Sequence, residues 1–167
     1  MSRCSVRLLT EEDWEVLRAV RLAMLLDAPG AYGSSYAREA AFTEETWRQR
    51  TGQAVFLAER EDGLPLGTAT LLRLHPEEDP EIVAMWVAGH ARGAGVADAL
   101  VDACRDRAVA EGADRVRMHV MLDNPRAVAC YTRLGFVFDG GGGDAEGCAS
   151  MHWRPSDDSA TMKAKNA

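Results

Sequence analysis

Hydrophobic positions along this chain change period from segment to segment, and each change marks an element. Alternation over residues 5–9 reads as a short strand. Thr10 follows as an N-cap with acids in the next turn, and Trp14, Leu17 and Met24 recur at helical spacing, so a first helix is expected to run to about Leu26. Asp27-Ala28-Pro29-Gly30 stops it. The small, polar residues through Gly33-Ser34-Ser35-Tyr36 predict a loop that ends at a second N-cap, Thr43, before Glu44, Glu45 and Trp47. Residues 54–61 and 66–74 flank Asp62-Gly63, the strongest short hairpin signal in the chain, so two antiparallel strands are expected there, with Pro65 delaying the second. The acidic turn His75-Pro76-Glu77-Glu78-Asp79-Pro80 then leads into the apolar strand 82–87.

From about Gly93 to Glu111 the period becomes helical. Val96, Leu100, Val101, Cys104 and Ala108 make one face, and Asp98, Asp102, Arg105 and Asp106 make the other. Val116, Met118 and Val120 alternate with Arg115, Arg117 and His119 in the next strand. A short helix from Asn124, a strand over 136–138, a glycine connector over 140–143 and a last strand over 148–153 complete the pattern. A helix between the fourth and fifth strands requires a parallel crossover inside an otherwise hairpin-built sheet, which makes the fold class mixed α/β rather than a bundle or a sandwich. The chain has 167 residues, 47% of them hydrophobic, enough for one core. A single domain over 1–154 is expected, with the polar segment 155–167 as a flexible tail.

The chemistry concentrates in Arg92-Gly93-Ala94-Gly95-Val96-Ala97, which follows the apolar strand and opens the amphipathic helix. At a helix start several backbone N–H groups lack intrahelical acceptors and the macrodipole adds partial positive charge, so an anion fits there. Gly93 and Gly95 carry no side chain to hold a diphosphate away from those amides, and Arg92 adds a permanent positive charge. Downstream, Asn124-Pro125-Arg126-Ala127-Val128-Ala129-Cys130-Tyr131-Thr132-Arg133-Leu134-Gly135-Phe136 reads as one capped helix: Asn124 as N-cap, Pro125 at the first helical position, Gly135 as the left-handed stop.

Together these strings resemble the GNAT superfamily of acyl-CoA-dependent N-acyltransferases. Its pyrophosphate loop reads Arg/Gln-x-x-Gly-x-Gly/Ala before a helix, and Arg92, Gly95 and Ala97 stand at its defining positions. Its second pattern is matched by Asn124, Ala127, Tyr131, Gly135 and Phe136. The sequence departs from many relatives at Ala94, where a long polar residue is common, and at Gly89, where proline is common; neither change removes a backbone donor. The resemblance implies a GNAT-like fold, a mostly antiparallel sheet with a parallel, splayed central strand pair flanked by helices. It implies acetyl-CoA as cosubstrate, with the diphosphate at residues 92–97, the pantetheine arm and thioester at the backbone of Trp86 and Val87, and Asn124 as a further contact. It also implies direct transfer to an amine, with Tyr131 protonating the departing thiolate and Glu81, at the start of the fourth strand, removing the amine proton. Glu77, Glu78, Asp79, His75 and His119 compete with Glu81 for that task. A tyrosine phenol, with a reference pKa of about 10, is protonated at neutral pH and suits the acid role. Homodimerisation is a family-level expectation, with Trp153 and the last strands as contacts.

Other readings meet the same residues. A dinucleotide-binding loop would need a third glycine where Asp98 stands. A catalytically silent acyl-CoA sensor or interaction module is the main alternative to an enzyme. A net charge of −7 argues against nucleic-acid binding. No apolar run approaches the length of a membrane span, and no targeting segment is evident before Glu11-Glu12-Asp13, so a cytoplasmic protein is expected. The chain's 4 cysteines form no Cys-x-x-Cys pair and read as reduced packing residues, and no metal-ligand motif occurs. The amine acceptor, with a small molecule favoured, carries no recognition code in the segments expected to wall it, 26–42 and the glycine connector.

Overall fold

A computed structural model of the protein describes residues 4–141, 143, 144 and 146–155. Of the tail expected over 155–167, residues 156–167 lie outside the described residues, as do Gly142 of the connector, Ala145 and the first three residues. The strands are β1 (Cys4–Leu8), β2 (Ala54–Arg60), β3 (Pro65–Leu72), β4 (Glu81–Val87), β5 (Val116–Met121), β6 (Val137–Phe138) and β7 (Cys148–Trp153). The helices are α1 (Trp14–Asp27), α2 (Tyr36–Ala40), α3 (Glu44–Thr51), α4 (Val96–Ala110) and α5 (Pro125–Arg133). The sheet has seven strands in the order β1-β2-β3-β4-β5-β7-β6. β4 runs parallel to β5, pairing Glu81 with Arg117 and Ile82 with Met118, while the β1–β2, β2–β3, β5–β7 and β6–β7 pairs are antiparallel. The mixed α/β class and its parallel crossover are as the pattern predicts.

Contacts divide the described chain into two compact units, one formed by residues up to Leu71 with Ala84–Cys104 and the other by Leu72–Val83 with the residues from Arg105 onward. In the first, Leu9, Leu17, Val20, Trp47, Val55 and Leu57 form a buried cluster, with Trp14, Val16, Phe42 and Trp86 packed on it. The start of α4 seats directly on β3 because position 67 has no side chain. A Cβ at Gly67 would lie 2.6 Å from the Trp86 carbonyl oxygen and 3.2 Å from side-chain atoms of both Val96 and Leu100. That close approach fixes where the first turn of α4 begins.

The segment between α1 and α3, expected as a loop, contains the short helix α2, whose N-cap Ser35 accepts a hydrogen bond from the Arg38 amide at 3.3 Å. Its sequence, Tyr-Ala-Arg-Glu-Ala, lacks an apolar stripe, and what buries it is a charge. Glu39 is fully buried and receives both Arg21 nitrogens at 2.9 Å and Arg50 at 2.8 Å. Arg21 lies over the Tyr32 ring, and Arg50 over Phe42 and Trp47, so three helices and a loop close around one carboxylate. Burial alone would raise the pKa of Glu39. Hydrogen bonds from Arg21 and Ser34 and the charges of Arg21 and Arg50 outweigh that cost and lower it from 4.5 to about 2.

In the second unit, Val116, Met118, Val120, Ala149, Met151 and Trp153 are buried on one side of the β5–β7 ladder, and Phe136 joins them. The α4 stripe is buried as expected, from Val96 to Ala108. Arg105, expected on the solvated face, is not there. It is 6% exposed, lies over the rings of Phe136 and Trp153 and donates to the Leu134 carbonyl. Position 105 stands four residues after Val101 and three before Ala108, which puts it on the edge of the apolar stripe, where an arginine fits if rings sandwich its guanidinium. Trp153, expected at a dimer contact, is 3% exposed within the chain and belongs to the core.

Because Glu39 has a depressed pKa in the folded state, its stabilisation is complete above about 4.5 and is lost as pH falls towards about 2. Glu39→Gln is expected to cost about 3 kcal/mol at neutral pH by leaving two arginines without their carboxylate. Urea midpoints taken from pH 7 downward should show the variant and the parent converging as pH falls, and a constant gap would contradict the buried pairing.

Candidate active site

The glycine loop begins where β4 ends. Residues 89–91 make one turn of 3-10 helix, Arg92 is extended at φ −65° and ψ 139°, and Gly93 and Gly95 take φ of 82° and 79°. These left-handed positions explain why α4 opens at Val96 and not at the expected Gly93, since a helix cannot pass through them. The Gly95 carbonyl accepts the first helical bond, from Ala99 at 3.1 Å. Nothing lies within 4 Å of where a Cβ would stand on Gly93 or Gly95. Both glycines are therefore required by backbone conformation, and the space where a side chain would stand on each is open.

Arg92 ties the loop to the ends of β4 and α1. Its Nε donates to the Val87 carbonyl at 3.1 Å, and its terminal nitrogen pairs with Asp27 Oδ2 at 2.6 Å. The same Asp27 oxygen receives the Trp86 indole N–H at 2.9 Å. One carboxylate at the end of α1 thus gathers the last residues of β4 and the first residue of the loop. Tyr32 adds a second tie, its hydroxyl donating to the Met85 carbonyl at 3.1 Å; burial pushes its phenol pKa up, with the charges of Arg21 and Arg92 opposing. Immediately before Met85, Ala84 takes a left-handed φ of 52°, a conformation that costs a non-glycine residue about 1–2 kcal/mol. Tyr32 holds the Met85 carbonyl and Asp27 holds the Trp86 side chain, within the stretch where Trp86 and Val87 were expected to meet the thioester.

The other candidate residues lie in the second unit. Asn124 Oδ1 accepts from the Ala127 amide at 3.1 Å, as an N-cap should, and Pro125 follows at the first helical position. At the far end the chain closes by a paired C-terminal motif: the Phe136 amide donates to the Tyr131 carbonyl and the Gly135 amide to the Thr132 carbonyl, each at 3.0 Å, with Gly135 at φ 85°. This motif brings the residue after the glycine onto the helix's last turn. Accordingly the half-buried Tyr131 ring meets Phe136 edge-on, with centroids 6.3 Å apart. Arg105, pressed against Phe136 and bonded to Leu134, locks the same corner.

Glu81 is half-buried at the start of β4. Its Oε1 lies 2.7 Å from His119 Nδ1, and its Oε2 lies 3.9 Å from Arg117. Beside this pair Asp139 gathers Ser150, His152 and Arg115, and its pKa is lowered by Ser150 first, with His152 and Arg115 adding to the effect against the cost of burial. Of the other residues expected to compete as base, Asp79 pairs with Arg115 at 3.5 Å, and His75, Glu77 and Glu78 lie exposed in the turn before β4. The four cysteines are free thiols, and Cys104 is buried deeply enough for its pKa to be pushed up to about 12. Among the described residues no cluster of three or more His, Cys, Asp or Glu could hold a metal ion. No helix among them is long and apolar enough to cross a membrane.

Sequence reading missed Asp27, Tyr32 and Arg105. Asp27 had a signal: an acid in the last helical turn opposes the macrodipole and calls for a cation nearby. Tyr32 had none, because its partner is a backbone carbonyl 53 positions away.

A strand, a left-handed glycine loop and a helix start, joined to a parallel crossover, make up an α/β fold shared with a family of acetyltransferases. The profile of the Acetyltransferase (GNAT) family matches residues 18–136, and the chain belongs to that family. The mycothiol acetyltransferase of Corynebacterium aurimucosum is 41% identical over 68 residues, 39% of this chain and 22% of that protein, so the chain spans about a fifth of that relative's length. A GCN5-related N-acetyltransferase from Kribbella flavida superposes with a TM-score of 0.71 at 25% identity, covering 90% of this chain and 97% of that one. The PaiA N-acetyltransferase of Thermoplasma acidophilum, solved in complex with coenzyme A, gives 0.71 at 16% identity over 91% and 99% of the two chains and shares the fold.

Gly95→Ala is expected to cost about 1–2 kcal/mol through its left-handed φ alone, because no atom obstructs the added methyl. Denaturant midpoints measure it, and a neutral substitution would mean that the loop adopts another conformation in solution.

Proposed function

We propose that this protein transfers the acetyl group of acetyl-CoA to a primary amine by direct attack. The observation that supports it most is the paired left-handed glycines at 93 and 95, with open space above them and a helix start directly behind. In this reading the amides of residues 93–97 hold the diphosphate, and the N–H groups of the helix start supply the attraction without any side-chain rearrangement. Arg92 serves chiefly as the brace between Asp27 and Val87, and its charge adds to the field at the loop. Backbone amides of the Trp86–Val87 stretch receive the thioester oxygen, where negative charge grows in the tetrahedral intermediate. Asn124 commits its carbonyl oxygen to the cap and contacts the cosubstrate through its amide hydrogens.

The remaining steps are proton transfers. The Tyr131 hydroxyl donates to the departing thiolate, and its ring is positioned by the glycine-terminated corner and by Phe136. Glu81 provides the negative charge that draws the proton from the attacking nitrogen. A small-molecule amine is the acceptor in this reading, favoured by the acidic balance of the chain. A cytoplasmic setting goes with it, supported by four free thiols.

Tyr131→Phe is expected to retain coenzyme A binding while kcat falls about 100-fold. Thiol release with an amine panel measures turnover, and calorimetry measures binding. Unchanged kcat would remove Tyr131 from its role. Binding with no thiol release from the parent protein on any amine would favour a silent acyl-CoA sensor.

A further inference from the structure

The Glu81–His119 contact has a chemical direction. An ionised carboxylate only accepts hydrogen bonds, so at 2.7 Å the imidazole Nδ1 is the donor and carries the ring's proton. In the neutral ring the lone pair is then on Nε2, at the opposite edge of a side chain that is 42% exposed, against 26% for Glu81. A carboxylate more buried than the imidazole it holds, with the imidazole's basic nitrogen turned away from it, is an arrangement for collecting a proton from outside. Nothing in the cap, the glycine loop or the sheet core requires it.

The geometry points to His119 Nε2 as the atom that accepts the proton from the attacking amine, with Glu81 acting through Nδ1 as its positioning residue. This rests on the acetyl-transfer reading above. As the amine nitrogen bonds to the thioester carbon, its surplus proton passes to Nε2. The C–S bond then breaks with its electron pair going to sulfur, which takes the Tyr131 proton. Solvent returns a proton from the imidazolium to the tyrosine, so the cycle closes without another reactant. The carboxylate of Glu81 offsets the positive charge that appears on the ring.

The groups around the pair are consistent with that assignment. From β4 Glu81 faces His119 directly, and on β5 Arg117 approaches the other oxygen of Glu81 at 3.9 Å. On β7 the register places Ser150 opposite His119 and His152 opposite Arg117. Both of those side chains are committed to Asp139, which also binds Arg115 at 2.8 Å. Cys148, further along β7, has its thiol pKa raised by burial first and then by the charges of Asp144, Glu146 and Glu81. Asp139 thus has three donors and ties β6 to β7, whereas Glu81 gives its close contact to a single imidazole. Two imidazole–carboxylate pairs share this region, and the one built for proton uptake is the more exposed one.

The test combines turnover with a readout that does not need it. His119→Ala should lower kcat about 100-fold and leave the KM for acetyl-CoA within about twofold, with added imidazole restoring part of the loss. Glu81→Gln should lower kcat as well, and the double variant should be no slower than the worse single one, because the residues act as a unit. His152→Ala should leave kcat within about twofold. Nitrogen-15 NMR of the imidazoles should find the neutral His119 ring protonated on Nδ1, and Glu81→Gln should weaken that preference. A parental kcat in His119→Ala, or losses that multiply in the double variant, would overturn the assignment while leaving acetyl transfer intact. A ring protonated on Nε2 would overturn it whatever the turnover. Absence of thiol release from the parent protein would instead reject the transfer reading, with the NMR result still deciding the pair.

Discussion

One carboxylate oxygen, Oδ2 of Asp27, fixes the part of this protein on which the proposed chemistry depends. It receives the Arg92 guanidinium and the Trp86 indole, and Arg92 in turn donates to the Val87 carbonyl. The end of α1, the end of β4 and the beginning of the glycine loop are thereby held as one assembly. Gly67 sets the other boundary by letting Val96 and Leu100 rest on β3. Between these two constraints the loop has little choice of path, and the left-handed conformations at Gly93 and Gly95 are the way it makes the turn. An anion-binding helix start is useful only if its amides are already oriented, because ordering them on binding would consume the affinity they supply.

The second unit solves a different problem with similar economy. Gly135 ends α5 in a motif that necessarily brings residues 131 and 136 together, so the position of the Tyr131 ring follows from a backbone rule before any tertiary contact is considered. Arg105 then secures the corner by filling the space between Phe136 and Trp153 and by capping the Leu134 carbonyl. Its charge would be costly to bury alone. Ring faces on both sides and a carbonyl at its edge make the burial tolerable.

How much of this was legible in the sequence depended on the range of the interaction responsible. Local rules worked: Asn124 and Gly135 bound α5, Asp62-Gly63 turns between β2 and β3, and the stripe from Val96 to Ala108 is buried. The parallel crossover followed from element order. Errors arose where a long-range charge partner overrode local pattern. α2 exists because Glu39 meets Arg21 and Arg50 from neighbouring helices, and Arg105 is buried because two rings distant in sequence receive it. The helix start moved from Gly93 to Val96 because two glycines chosen for their left-handed freedom cannot also be helical. Of the candidate site, the sequence offers the motif residues, while the supports Asp27 and Tyr32 and the contact between His119 and Glu81 required the fold.

The account stands or falls on the main-chain amides of the loop as the ligand's grip. A proton–nitrogen-15 correlation spectrum recorded during titration with coenzyme A tests this most directly. The account predicts saturable shifts largest at the amides of Gly93, Gly95, Val96 and Ala97. Binding that leaves those four amides unmoved, or no binding at all by the folded protein, would contradict it.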